Sequence, residues 1–211
     1  MWPKREYHVA GQNTQKSGSF ALNQGPIMIA CVGAMLAIFL VGSMNVWGSY
    51  LGMLPNVLKP TAWLAFALFI MAFTASSIQI LFRGTCGRWA MKNRRYIGLS
   101  FALVHFVHAG LVLSNLVLTE ESRTIGALTG GGLAYLFLLL MALTSNNAAV
   151  RKLGAKNWKR LHKVGSYYIW LIFVGRSLPN VPDSLPLGVL IPLVALTALG
   201  LRIAAHRKLK K

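Results

Sequence analysis

Four stretches of the chain, Pro26–Trp47, Thr61–Phe82, Tyr96–Leu118 and Ile125–Thr144, carry no charged side chain. Each is long enough for a helix to cross a bilayer, which takes about 20 mostly apolar residues. That pattern excludes most soluble folds at once. Two further stretches are weaker: Trp158–Leu178 has Lys159, Arg160, His162, Lys163 and Arg176 near its ends, and Leu185–Ala205 contains Pro192 and Arg202. With 55% hydrophobic and 12% charged residues at a mean hydropathy of +0.54, the chain reads as an integral membrane protein.

Charge then orients the spans. Of the 22 basic residues, all but Lys59, Arg123 and Arg176 fall in the N-terminal tail, Arg83–Arg95, Ser145–Lys163 and the C-terminal end. Six spans put these four segments on one side, which the bias of lysine and arginine assigns to the cytoplasm. Glu120, Glu121 and Asp183 fall on the other side. The expected architecture is therefore all-α: a cytoplasmic tail over residues 1–25, a six-helix membrane bundle over 26–205, and a basic cytoplasmic tail over 206–211. The first apolar run is too long for a signal h-region and follows a long polar, basic segment, so it is expected to be retained. Trp47, Tyr50 and Trp63 at one interface, and Trp89 and Trp158 at the other, read as aromatic anchors. Attraction to anionic lipid headgroups accounts for much of the basic face at about 1 kcal/mol per residue near the surface. A net charge of +18 alongside long uncharged runs does not suit a nucleic-acid-binding chain.

Two cysteines, Cys31 and Cys86, supply neither a disulfide framework nor a cysteine-built metal centre. No carboxylate, lysine or arginine lies in the middle of a span, which argues against ion-coupled transport through buried charges. Histidine is the remaining candidate. His8 and His206 lie in polar tails, whereas His105, His108 and His162 lie in or beside spans. His105 and His108 are about 60° apart around one helix and can project to one side of the third span. With His162 on the fifth, they form a set from which a bundle could ligate a haem iron between facing helices; the competing reading is interhelical hydrogen bonding.

Gly98, Gly110, Gly165 and Gly130–Gly132 would leave room for a ring or, equally, allow close helix packing. Arg94, Arg95, Arg160 and Lys163 could hydrogen-bond haem propionates or snorkel to phospholipid. Counting rise per residue, His105 lies about 15 Å past Arg95, His108 about 20 Å, and His162 about 3 Å past Arg160. On depth alone, His105 pairs with His162 more readily than His108 does.

The segments Arg94-Arg95-Tyr96-Ile97-Gly98-Leu99 leading to His108, Ala142-Leu143-Thr144-Ser145, Arg151-Lys152-Leu153-Gly154, Trp158 and Leu161-His162 together resemble the ferric reductase-like transmembrane domain family. Within it, they resemble the haem-binding membrane subunits of periplasmic methionine sulfoxide reductase systems. The likeness runs from about residue 60 to about 205. It implies a six-helix b-type cytochrome that carries electrons from a cytoplasmic flavin-dependent donor toward a periplasmic acceptor, and it places the family's histidines on His108 and His162. A further family histidine falls here on Gly175, and His105 is additional. The expectation is one haem b toward the cytoplasmic half, with His105 and His108 competing to face His162, and a quinone or a partner's cofactor completing any transfer across the membrane. The chain has no nucleotide-binding signature of its own. It is expected to act as the electron-transfer subunit of an oxidoreductase system, with flavin, if any, supplied by a partner. The alternative is a cofactor-free transporter or assembly subunit with structural histidines.

Overall fold

The computed structural model describes residues 25–119, 125–178 and 187–210. Most of the N-terminal tail, together with Glu120, Glu121, Arg123, Asp183 and Lys211, lies outside them. Among the described residues all regular structure is helical: α1 (Gly25–Trp47), α2 (Tyr50–Phe82), α3 (Thr85–Leu118), α4 (Ile125–Leu143), α5 (Asn147–Leu153), α6 (Ala155–Ser177) and α7 (Leu187–Lys210). Helices α1, α2, α3 and the Val189–Lys210 part of α7 are long and apolar enough to cross a membrane. Helices α4 and α5 meet that condition as a pair bent by 104°. Helix α6 does not, because Lys156, Lys159, Arg160 and Lys163 crowd its first turns.

A wide apolar belt faces outward. Ile38 is 73% exposed, Val46 77%, Val117 74% and Leu196 55%, a surface that water would not tolerate but hydrocarbon does. Inside, α2 packs most extensively on α3 and also on α7, while α1 lies against α3 and α4 against α6. Phe69, Phe73, Phe101, Val104, Leu138 and Ile169 belong to the central core.

The helices run further than the uncharged stretches suggest. The expected loop over 83–95 is two residues long: Arg83 caps α2 in the left-handed region at φ 49°, and α3 begins at Thr85. This tight hairpin needs Gly87, since a Cβ there would lie 2.7 Å from Gln79 Oε1 and 2.9 Å from Gln79 Cα. At its other end, α2 begins eleven residues before Thr61, at Tyr50, and continues through Pro55 and Pro60. Proline normally disfavours a helix interior. Here Met53, Leu54 and Val57 form a second buried cluster with Leu111 of α3, so one face of the extension has a partner. Ser49 caps its start by accepting the Gly52 N–H at 3.0 Å.

Contacts bring the basic segments to one end of the bundle. Lys208 Nζ donates to the Leu81 carbonyl at the end of α2, at 3.3 Å. Arg95 of α3 reaches Asn147 of α5 at 3.4 Å. The ends of α2 and α7 therefore meet each other, and α5 lies against α6 and is joined to the first half of α3, while Lys59 and Arg176 lie toward the other end of their helices.

A cationic cavity and a histidine ladder

At the basic end, α2 to α6 surround a cavity of about 560 Å³, with Arg202 of α7 also in its wall, within the usual range for small-molecule and cofactor sites. Phe69, Phe73, Phe101, Leu138 and Met141 give it apolar walls, and Arg94, Arg95, Lys159, Lys163 and Arg202 supply cations. All four acidic residues of the chain, Glu6, Glu120, Glu121 and Asp183, fall outside the described residues, so no described carboxylate balances this charge. Of the expected site residues, His162, Arg94, Arg95 and Lys163 line the cavity, whereas His105 and His108 do not. Arg160 is also absent from the lining, and Lys159 stands there instead.

His162 is held on two sides. Its ring stacks on Trp158, with centroids 4.1 Å apart, and its Nε2 lies 3.2 Å from Thr144 Oγ1. Trp158 Nε1 donates to the Thr144 carbonyl at 2.9 Å. The expected room beside Gly165 is taken: a Cβ there would lie 2.9 Å from Met141 Sδ, so this glycine serves close packing of α6 on α4. Gly98 is the opposite case. It lines the cavity, and an added Cβ would meet nothing within 4 Å.

Further along α3, Arg94, Gly98, Phe101, His105 and His108 succeed one another at helical three- and four-residue spacing. Phe101 separates the cavity from His105, with their ring centroids 5.3 Å apart. His105 also packs on Tyr135 at 4.8 Å and on Phe173 at 5.5 Å. Its Nδ1 is buried without a hydrogen-bond partner. His108 lies almost parallel to His105, with ring centroids 5.6 Å apart and planes 12° apart, and its Nδ1 is 3.0 Å from Thr61 Oγ1. Both α3 histidines thus point into the bundle rather than outward.

Arg202 is the cavity residue that the sequence reading passed over as a feature of the last span. Its Nη1 donates to the Phe73 carbonyl at 2.6 Å and its Nε to the Tyr167 hydroxyl at 3.2 Å. The guanidinium also lies 4.2 Å from the centre of the Phe73 ring. An arginine within a span is a signal in itself, because its cost calls for partners or a role. Trp158, read as an interfacial anchor, also braces His162. Thr61 and Thr144 left no signal as partners of histidine, since only the fold brings them together.

Among curated proteins, the chain is similar to three protein-methionine-sulfoxide reductase heme-binding subunits MsrQ. It is 28% identical over 121 residues to that of Azospira oryzae, covering 49% of this chain and 50% of the relative. It is 33% identical over 96 residues to that of Ralstonia nicotianae, covering 42% and 43%, and 31% identical over 131 residues to that of Brucella anthropi, covering 56% and 58%. The chain spans about half the length of the curated relatives it matches. No family model matches it, and no solved structure does. The residues that suggested the resemblance and these relatives agree: the chain is similar to haem-binding membrane subunits of methionine sulfoxide reductase systems.

Proposed function

We propose that the chain is a six-span b-type haem protein of the bacterial inner membrane, with both termini cytoplasmic. In this reading residues 26–205 form one membrane domain between tails 1–25 and 206–211. It carries electrons from a cytoplasmic reductant, a flavin reductase for example, toward a periplasmic or quinone acceptor. One observation carries the reading above the others: an apolar cavity at the basic end holds His162 and a set of cations with no described counter-charge.

The donor set suits haem. An apolar pocket favours a flat macrocycle, and guanidinium and ammonium groups at its edge match two propionates. A bound haem would supply a reversible one-electron couple, with axial ligation, polarity and burial setting its potential. His162 would be a ligand from α6, and His105 or His108 from α3, where Phe101 now stands between these rings and the cavity. Arg94, Arg95 and Lys163 would hold the propionates. Arg94 already donates through Nε to the Ala72 carbonyl at 3.1 Å, which orients its remaining N–H groups. Phe69, Phe73, Leu138 and Met141 would exclude water. The chain would pass electrons and leave bond-making to a partner, as an electron-transfer subunit does.

The deciding measurement is haem per polypeptide by pyridine haemochrome on the purified full chain, with a dithionite-reduced visible spectrum. One haem b per chain is expected. Protein made with adequate haem that shows neither a Soret band nor a response to dithionite would overturn the reading in favour of a cofactor-free membrane subunit.

A further inference from the structure

We infer that Arg202 of α7 and Arg94 of α3 act together as a carboxylate-binding fork in the cavity wall, each giving N–H groups to the same propionate of a bound haem. The inference deepens the haem reading and rests on it for the identity of that carboxylate.

These two arginines differ from the other cations of the cavity. Arg95, Lys159 and Lys163 line it but are exposed, so their long stems can carry the charge out to water or to lipid headgroups. Arg94 and Arg202 are half-buried and tied to the protein. Arg94 Nε donates to the Ala72 carbonyl at 3.1 Å, and Arg202 Nη1 donates to the Phe73 carbonyl at 2.6 Å. These are consecutive carbonyls of α2, so one turn of that helix draws a guanidinium from α3 and another from α7 to neighbouring points on the same wall. The two charges lie close enough to repel each other. Beside apolar walls that repulsion is costly, and no described carboxylate relieves it, since all four acidic residues lie outside the described residues.

Hydrogen-bond capacity points the same way. A guanidinium has five N–H donors and no acceptor. Arg94 commits its Nε to Ala72, while Arg202 commits Nη1 to Phe73 and Nε to the Tyr167 hydroxyl at 3.2 Å. The centres of the Phe73 and Tyr167 rings lie 4.2 and 5.0 Å from the Arg202 guanidinium carbon, which sets its plane and leaves its edge for an oxygen. A planar, two-oxygen anion matches the donors that remain on the two groups. A lipid phosphate offers similar oxygens, and esterified haem separates the two sources, because only a propionate loses its charge on esterification.

The test uses the full chain in nanodiscs, freed of haem and offered either haem b or its dimethyl ester, as wild type, Arg94→Gln, Arg202→Met and the double variant. Wild type should retain haem more tightly than the ester. Arg202→Met should cut that preference about 10- to 100-fold, the scale of a hydrogen bond to a charged group, and Arg94→Gln should do the same. Because the two arginines grip one carboxylate, the double variant should lose less than the product of the two single losses. The preference is a ratio, so a loosening of the fold that weakens both ligands alike cancels. Tyr167→Phe, which removes the Arg202 Nε contact but no cation, is the structural control and should keep most of the preference. An Arg202→Met protein with the wild-type preference would overturn the inference, leave the haem reading intact and point to lipid phosphate as the anion there. Losses that multiply in the double variant would put the arginines on separate groups and overturn the shared fork. A wild type that takes up haem and its ester equally well overturns it without any variant, should Arg202→Met fail to accumulate. A wild type that takes up neither overturns the haem reading as well.

Discussion

Trp158 lies face to face with His162, their centroids 4.1 Å apart and their planes at 29°, while its indole N–H is anchored on the Thr144 carbonyl. The two residues are four apart on α6, so one helical turn builds the stack. The anchor ties that turn to the end of α4. The imidazole consequently meets the cavity in one orientation, and if it is the iron ligand proposed above it benefits from being held beforehand.

Replacing His162 by alanine should abolish haem retention. Trp158→Ala should weaken it by an amount consistent with losing a stack worth about 0.5–1.5 kcal/mol and a hydrogen bond worth about 1 kcal/mol. Trp158→Phe should fall between wild type and Trp158→Ala. Absorbance of the reduced pigment per polypeptide reads all three, and full occupancy in His162→Ala would remove that residue from the site.

The positions of the membrane helices were legible because the bilayer imposes a length and a charge rule that show directly in Pro26–Trp47 or Tyr96–Leu118. The gathering of Arg94, Arg95, His162 and Lys163 around one cavity agrees with the expectation that the segments bearing them share one end. Helix continuity was not legible. Pro55, Pro60, Gly84 and Gly87 read locally as loop residues, and only the packing of Leu54 against α3 and the close approach of Gln79 to Gly87 reverse that reading. The Thr61–His108 contact joins residues 47 apart, a pairing no local pattern carries.

Gly98 and Gly165 should respond oppositely to a small side chain and to a large one. At Gly98 a leucine enters open cavity space, so the fold should tolerate it while the macrocycle loses its room: haem content should fall with thermal stability nearly unchanged. At Gly165, alanine gains about 0.5–1 kcal/mol of helix propensity and asks only the flexible Met141 side chain to move, so it should be close to neutral. Leucine at the same position overpacks the α4–α6 contact and should cost about 1–3 kcal/mol. Thermal unfolding in detergent, paired with haem content, separates the two sites. A Gly98→Leu protein with full haem content would show that the macrocycle does not pass over this position.

Arg202 joins three helices through the Phe73 carbonyl, the Tyr167 hydroxyl and the Phe73 ring. Its fork and flat face are both in use, which a lysine cannot reproduce. Arg202→Lys should therefore destabilise the protein nearly as much as Arg202→Met, by about 2 kcal/mol on the scale of a hydrogen bond to a charged group. A lysine variant that unfolds at the wild-type temperature would mean that charge alone, rather than the fork, is what α2, α6 and α7 require there.

The basic end should also govern encounter with an electron donor. Arg88, Lys92, Arg95, Lys159 and Arg160 are at least partly exposed there, and no described carboxylate offsets them. Complementary charge speeds association mainly by steering, an effect that salt removes as the screening length falls from about 30 Å at 0.01 M to about 3 Å at 1 M ionic strength. Reduction of the haem by an acidic flavoprotein should slow steeply over that range, while reduction by a small neutral reductant should not. Paired Arg88→Gln and Lys92→Gln substitutions, both outside the cavity lining, should flatten the salt dependence and leave the high-salt rate near wild type. Stopped-flow reduction with the two kinds of donor measures both. If the flavoprotein rate is indifferent to salt, the charge at this end serves lipid headgroups, and donor docking must be sought on another surface.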